Sequence, residues 1–307
     1  MERILYRTSF VPYHERKPSI IVCETQNIKS VTLIYSNHVI FMVAKELSVD
    51  DIDDMARELV ELVLSSSNAV ALTGAGVSTE SGIPDYRSPS TGLWEKMDTS
   101  VVSLEGFFID PNRYYNFALE MYPTRRSARP NPAHHLLVEF EQRGLLKGLI
   151  TQNVDGLHQD AGSSNVHELH GSLRQAVCLG CSSLCPMDGA EGVMERVISG
   201  ENPPLCRDCG EVLKPNAVFF GELLPQVPWQ RSLELASQAD LFLAIGSSLQ
   251  VSPANILPDV ALRAKAKLVI INLTPTPYDG DATLLVRHKV GEFALLALQF
   301  FKFGTFV

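Results

Sequence analysis

Four cysteines make the most specific chemical pattern in this chain. Cys178-x2-Cys181, then 24 intervening residues, then Cys206-x2-Cys209 matches a four-thiolate tetrahedral zinc site, each C-x-x-C forming one tight knuckle. Four thiolates leave no open position for water, so one structural Zn2+ is expected rather than a catalytic one. Of the two other cysteines, Cys185 lies between the pairs as an alternative ligand or a free thiol, and Cys23 is far away and expected free. Disulfide frameworks belong to small secreted chains. Paired C-x-x-C in 307 residues without a secretory h-region points instead to metal in a reducing compartment, by default the cytoplasm.

Three other stretches carry polar chemistry. Gly74-Ala75-Gly76-Val77-Ser78 follows an apolar run, and glycines there would let the backbone approach a pyrophosphate at a helix N-terminus. As a dinucleotide fingerprint it is incomplete, because Thr79 stands at the third glycine and no acid ends a strand about 20 residues on; a plain tight turn is the alternative. Asp85-Tyr86-Arg87 adds an acid, a ring and a cation, suited to an anionic aromatic ligand or to a salt-bridged loop. Thr151-Gln152-Asn153-Val154-Asp155 offers amides and a carboxylate for hydroxyls and a carboxamide, or simply a capped helix start; His158 falls one turn into that helix and is expected to be structural. In His167-Glu168-Leu169-His170-Gly171-Ser172, a histidine before glycine can titrate near neutrality as a general base, and His170 has the stronger case.

The elements that must position these groups are legible as patterns. Ser48-Val-Asp-Asp51 resembles a capping box, and Ile52, Met55, Leu59, Leu62 and Val63 recur at helical spacing. Short apolar strands are expected at 69–72, 149–150, 241–245 and 268–271, each ending in small or polar residues: Thr73-Gly74, Thr151-Gln152, Gly246-Ser247-Ser248 and Asn272. A helix from Asn131-Pro132 to Gly144 lies between the first two. Continuous apolar strands separated by helices predict an α/β fold with a parallel sheet covered on both faces and a ligand beyond the carboxyl ends. The cysteine-rich stretch to Lys214 interrupts that rhythm as an inserted module. Residues 1–41 read differently: Ile20–Val22, Val31–Tyr35 and Val39–Met42 could form strands, and the segment is read as a loosely ordered tail or an upstream extension of a chain starting at Met42.

Charge narrows the partners. Lys plus Arg number 26 against 35 Asp plus Glu, a formal −9, and residues 1–41 contribute +2, so the rest carries −11. Between Cys178 and Cys209 only Arg196 and Arg207 face Asp188, Glu191, Glu195, Glu201 and Asp208, so direct nucleic-acid binding is not expected of the cysteine module. No apolar run reaches the roughly 18–20 residues of a spanning helix, so no membrane partner is expected.

Taken together, Gly74-Ala-Gly-Val-Ser-Thr-Glu-Ser-Gly-Ile-Pro-Asp-Tyr-Arg-Ser88, Thr151-Gln-Asn-Val-Asp-Gly-Leu-His158 and His170-Gly-Ser172 resemble the signature blocks of the sirtuins, NAD-dependent protein-lysine deacylases. The paired C-x-x-C, Pro215-Asn-Ala-Val-Phe-Phe-Gly-Glu222, Gly246-Ser-Ser-Leu249 and Ile271-Asn272 follow in the family's order, from about residue 50 to 300. Thr79 and Thr276-Pro-Tyr-Asp279 resemble the bacterial and archaeal-type branch.

The resemblance implies an open Rossmann-like parallel-sheet domain with a smaller inserted domain. The expected bounds are an N-terminal extension at 1–47 and a catalytic domain at 48–303, with a zinc module at about 174–215 and a helical insertion at about 86–130. It implies NAD as cosubstrate. Gly74, Ala75, Gly76, Thr79, Asp85, Tyr86 and Arg87 would line the pyrophosphate and nicotinamide-ribose region; Tyr86 replaces the family's more usual Phe. Gln152, Asn153, Val154 and Asp155 would hold nicotinamide, with Asp155 reading its carboxamide. Gly246, Ser247, Ser248 and Asn272 would hold the adenosine side and Val290 would contact adenine. His170 and Asn153 would be catalytic, Val218, Phe219, Phe220 and Gly221 would pair with an acetyl-lysine peptide, and a monomer is expected. The products would be nicotinamide, O-acyl-ADP-ribose and free lysine. Relatives that remove succinyl or malonyl groups carry Tyr and Arg three apart in the helical insertion. Here those positions are Ala118 and Met121, which predicts acetyl or longer aliphatic groups, although Arg125 and Arg126 lie nearby. ADP-ribosyl transfer to protein and a non-catalytic zinc-ribbon interaction module are the competing readings.

Overall fold

The computed structural model describes the backbone of residues 19–25, 28–35, 38–44 and 49–50, and backbone with side chains of residues 51–85, 92–93 and 97–303. The chain divides into two units, residues 1–52 and 53–307. In the first, β1 (Ser19–Thr25), β2 (Ile28–Tyr35) and β3 (His38–Ala44) pair antiparallel in that order, so the three apolar segments do form strands. The connections between them and Ser48 lie outside the described residues. α1 (Val49–Ser65) leads onward, and Ala56, Leu59, Val60 and Val63 make its buried stripe.

The second unit continues with β4 (Ala69–Thr73), α2 (Leu104–Ile109), α3 (Pro111–Ser127), α4 (Pro132–Gln142) and β5 (Leu146–Thr151). Next come α5 (Leu157–Ala161), β6 (Val166–Glu168), β7 (Gly171–Cys178), β8 (Leu184–Pro186), α6 (Val193–Ile198) and β9 (Leu213–Ala217). α7 (Gln226–Gln238), β10 (Leu241–Ile245), α8 (Leu257–Arg263), β11 (Lys267–Ile271), β12 (Leu284–Val286) and α9 (Val290–Phe303) complete it.

Six strands form one parallel sheet in the order β12-β11-β10-β4-β5-β6. The chain builds outward from β4 through β5 to β6, then returns to place β10, β11 and β12 on the other side of β4. The strand order therefore reverses between β4 and β10, the Rossmann-like arrangement. Every residue of β4 and β10 is buried, as strands covered on both faces must be. The four expected strands are present; β6 and β12 are additional edge strands of three residues each, too short to show as apolar runs. α4 is capped by Asn131, whose Oδ1 accepts from Ala133 N–H at 2.9 Å while Nδ2 donates to the Val77 carbonyl at 2.7 Å. One residue thus starts the helix and ties it to the turn after β4.

A second sheet, β8-β7-β9, is antiparallel and shares a core with α2, α3 and α6 through Phe107, Tyr114, Tyr115, Val193, Leu213 and Phe219. The buried Tyr115 hydroxyl donates to the Leu213 carbonyl at 2.6 Å. The helical insertion and the cysteine-bearing insertion therefore pack as one smaller module.

Candidate active site

Register places the site. Thr73 lies opposite both Ile245 and Thr151, and Ile245 opposite Ile271, so the central strands end level. The ladder runs one residue further: Gly74 N–H donates to Ile245 O at 3.0 Å, Gly246 N–H to Ile271 O at 2.8 Å, and Gln152 N–H to Thr73 O at 2.9 Å. Asn272, Gly246, Gly74 and Gln152 are thereby aligned along the carboxyl edge at the reversal of strand order. A Cβ on Gly76 would fall 2.8 Å from Gly246 Cα, and one on Gly74 2.8 Å from the Gly246 carbonyl oxygen. These glycines let two loops interlock; the space their side chains leave is filled by the neighbouring loop. Leu249, in the same second loop, holds φ at 53°, a left-handed conformation disfavoured for a bulky side chain and typical of sites that constrain a loop.

A cavity of about 360 Å³ opens at this edge. His170 enters it from the end of β6. Leu169 N–H donates to Thr151 O at 2.9 Å and Val218 N–H to the His170 carbonyl at 2.8 Å, fixing the backbone on both sides. Gly171 turns the chain at φ +69°, with a Cβ position only 2.2 Å from Asn216 O, so no other residue fits. His170 Nδ1 lies 2.9 Å from the Gln152 carbonyl. A carbonyl only accepts, so Nδ1 carries the proton and Nε2 holds a lone pair; among the described residues Nε2 has no hydrogen-bond partner. Burial lowers the ring's pKa below its ordinary value, although the Gln152 carbonyl favours the protonated form. At neutral pH the ring is an uncharged base.

Asn153 is oriented by a chain of donors. Its Nδ2 donates to Gly74 O and to Ser78 Oγ, both at 3.1 Å, while Ser78 Oγ donates to Asp155 Oδ2 at 2.7 Å. The amide nitrogen is committed, which leaves Asn153 Oδ1 as the acceptor for a ligand. Asp155 Oδ1 accepts from Leu157 N–H at 2.9 Å, and burial raises the pKa of this carboxyl. Gln152 Nε2 donates to Ser247 Oγ at 3.1 Å, tying the loop after β5 to the loop after β10.

The opposite wall is the segment 217–222. Phe220 N–H donates to Val102 O at 3.0 Å and its carbonyl accepts from Leu104 N–H at 2.9 Å, so one edge is already paired with the start of α2. Behind the wall Lys214, 4% exposed, reaches Glu222 Oε2 at 2.8 Å, and burial lowers its pKa.

A model of the Sir2 family matches residues 74–253. The chain is 43% identical over 240 residues to NAD-dependent protein deacetylase 2 of Caldanaerobacter subterraneus subsp. tengcongensis, covering 78% of this chain and 93% of that one. It is 43% identical over 243 residues to the NAD-dependent protein deacetylase of Thermotoga maritima, covering 79% and 97%. A solved structure of Sir2 with a p53 peptide and NAD+ superposes with TM-score 0.73 at 42% identity, covering 79% of this chain and 96% of that one. The chain belongs to the Sir2 family.

Of the residues expected from the sirtuin motifs, Gly74, Ala75, Gly76, Asp85, Gln152, Asn153, Val154, His170, Val218, Phe219, Phe220, Gly221, Gly246, Ser247, Ser248 and Asn272 line the one cavity. Thr79, exposed, donates to Gly76 O at 3.0 Å, and Val290 is buried at the start of α9; neither is in the lining. Tyr86 and Arg87 lie outside the described residues. Asp155 is not in the lining either; it borders a second, polar cavity with Arg125, Arg126, Asp160 and Arg174. The positions matched to the sirtuin acyl-specificity pair, Ala118 and Met121, do not reach the main cavity; Tyr114 and Phe117, one turn earlier on α3, do. Their three-residue spacing was visible in the sequence, but only the packing of α3 shows which face turns inward. Glu222 ends one of the sirtuin motif blocks, but nothing in the sequence pairs it with Lys214, which carries no signal of its own. His158 is buried, with Nε2 2.9 Å from Thr73 Oγ1 and its pKa lowered to about 4, as a structural histidine should be.

The sirtuin cysteines also assemble. The four Sγ atoms of Cys178, Cys181, Cys206 and Cys209 lie within 4.8 Å of one another, with Cys178–Cys209 at 3.3 Å and Cys181–Cys206 at 3.7 Å. A tetrahedral zinc–thiolate shell has sulfurs roughly 3.8 Å apart, so the donor set fits Zn2+. Backbone N–H groups of Gly180 and Cys181 point at Cys178 Sγ from 3.3 and 3.4 Å, the knuckle geometry that stabilises a thiolate. Cys185 packs into the module core and is not one of the four.

Proposed function

We propose that this chain is an NAD-dependent protein-lysine deacetylase that releases nicotinamide, O-acyl-ADP-ribose and free lysine. One observation carries the reading: the free Nε2 of His170 faces the same cavity as the loops at the strand-order reversal and the segment 217–222. NAD supplies an electrophilic ribose carbon with a positively charged leaving group. Ser247, Ser248 and Asn272, with Gly246 and Val290, hold its adenosine side. Gly74, Ala75, Gly76, Thr79 and Asp85, joined by Tyr86 and Arg87, hold the pyrophosphate and ribose. Asn153 Oδ1 accepts from the carboxamide within a pocket that Gln152 and Val154 complete. Asp155 supports that pocket from behind through Ser78. His170 removes a ribose proton at Nε2, a role typically worth ~10²–10⁴ in rate.

Val218 to Gly221 line the cavity and receive an extended acyl-lysine peptide through main-chain contacts, with little sequence preference. From α3 only Tyr114 and Phe117 reach the cavity among the described residues, so its acyl end is aromatic and uncharged. Acetyl and aliphatic acyl groups fit there. Among the described residues of the cavity lining there is no cation to receive a succinyl carboxylate that loses its water; Arg125 and Arg126 line the second cavity. Desuccinylation is expected at least about tenfold slower than deacetylation on matched peptides; equal rates would refute this acyl preference. The reading extends to a monomer working in the cytoplasm without nucleic acid, which light scattering and cell fractionation test. Among the described residues no helix is long and apolar enough to cross a membrane. The activity itself is tested by incubating an acetyl-lysine peptide with and without NAD and identifying the products; ADP-ribosylated protein in place of free lysine would favour the transferase reading.

A further inference from the structure

The wall segment 217–222 is held from behind by a buried ion pair that does not itself line the cavity on its cationic side. Lys214 lies on β9 with 4% of its side chain exposed. Its Nζ reaches three acceptors: Pro215 O at 3.2 Å, Ala217 O at 2.7 Å and Glu222 Oε2 at 2.8 Å. An ammonium has three protons, so its donors are all used. Nζ also lies 4.1 Å from the centre of the Phe219 ring. Glu222 Oε2 accepts from Phe219 N–H at 2.6 Å, and Glu222 N–H donates to Phe219 O at 3.0 Å. The backbone from 219 to 222 is thus closed into a turn, through Gly221 at φ +92°, and that turn is fastened to β9 by one ammonium.

The geometry points to Lys214 as a positioning residue for the peptide substrate: through Glu222 it locks the conformation of the segment 217–222, which lines the cavity that receives the acyl-lysine peptide. The inference rests on the deacetylase reading. The His170 carbonyl accepts from Val218 N–H at 2.8 Å, but its ring is set from outside the segment by the Gln152 carbonyl, and Leu169 before it is held by Thr151 O. The cofactor loops after β4 and β10 are fastened to each other rather than to Lys214. Losing the ammonium should therefore fall on peptide binding and spare both NAD binding and the chemical step.

The test compares the zinc-loaded full chain with Lys214→Met, Lys214→Arg, Glu222→Gln and the double variant Lys214→Met/Glu222→Gln, using an acetyl-lysine peptide and NAD. Lys214→Met should raise the peptide KM about tenfold and leave the NAD KM and kcat within about twofold. Lys214→Arg should restore most of the peptide KM. The double variant should be no worse than Lys214→Met, because the two residues act as one unit. Hydrogen exchange at the Phe219 amide should quicken in Lys214→Met and in Glu222→Gln, a readout independent of turnover. An unchanged peptide KM in folded Lys214→Met, or peptide and NAD KM rising together, overturns the proposal. If Lys214→Met does not fold, Glu222→Gln decides: an unchanged peptide KM and unchanged Phe219 exchange overturn it. A wild-type chain without NAD-dependent deacetylation defeats the activity reading, and the exchange measurement still judges the lock.

Discussion

At the scale of single residues the site is governed by which donors and acceptors are already committed. His170 gives Nδ1 to a carbonyl and keeps Nε2; Asn153 gives Nδ2 to Gly74 and Ser78 and keeps Oδ1. His170→Ala should abolish deacetylation, at least ~10²-fold, while NAD still binds; near-normal turnover would remove His170 from its role. In the proposed role His170 works deprotonated, and burial lowers its pKa, so the acid limb of the peptide kcat/KM profile should fall below pH 6.5, with a plateau through neutrality. A half-point above 6.5 would contradict that. The identities of these residues were legible in the sequence, because glycine, amide and histidine blocks are long and ordered. Asp155 was legible in the same block, but its partners, Ser78 Oγ on one oxygen and Leu157 N–H on the other, are not revealed by a linear motif.

Secondary elements are joined beneath the site by buried histidines rather than by charged groups. His134 closes the α4 cap by accepting from Asn131 N–H at 3.2 Å, and its ring lies 4.8 Å from that of His158 on α5. Burial lowers their pKa values to about 3 and about 4. In the unfolded chain both titrate near 6.5. Above 6.5 neither state binds the proton, and their contribution is constant. As pH falls below 6.5 the unfolded chain takes protons that the folded chain refuses, so stability declines until about pH 4 and 3. The slope is at most about 1.4 kcal/mol per pH unit for each ring. Urea midpoints should therefore fall between pH 6.5 and 4.5, and His158→Gln should flatten the decline; a midpoint constant over that window would contradict the neutral buried pair. Long buried strands and the Asn-Pro helix start were readable from pattern because continuous burial imposes continuous apolarity. The edge strands β6 and β12 were not, since three residues carry no period.

For the molecule as a whole, the proposed function gives the cofactor edge to the parallel sheet and the peptide wall to the inserted module. The module's core of Phe107, Tyr115, Val193 and Leu213 is closed at one end by the four cysteines. Zinc binding is folding energy for such a module. One zinc per chain is expected by elemental analysis, and chelation or Cys206→Ser should lower the module's melting transition and abolish activity together. A chain that keeps full activity without zinc would contradict this coupling. The formal charge of −9 fits an enzyme whose anionic ligand is met by loop amides and hydroxyls rather than by a basic surface. The account as a whole stands on NAD being consumed in step with the acyl group. The decisive measurement is the ratio of nicotinamide released to lysine freed from an acetyl-lysine peptide. The account predicts one to one, with no lysine freed when NAD is omitted. Deacetylation without NAD, or nicotinamide release with the peptide still acetylated, would contradict it.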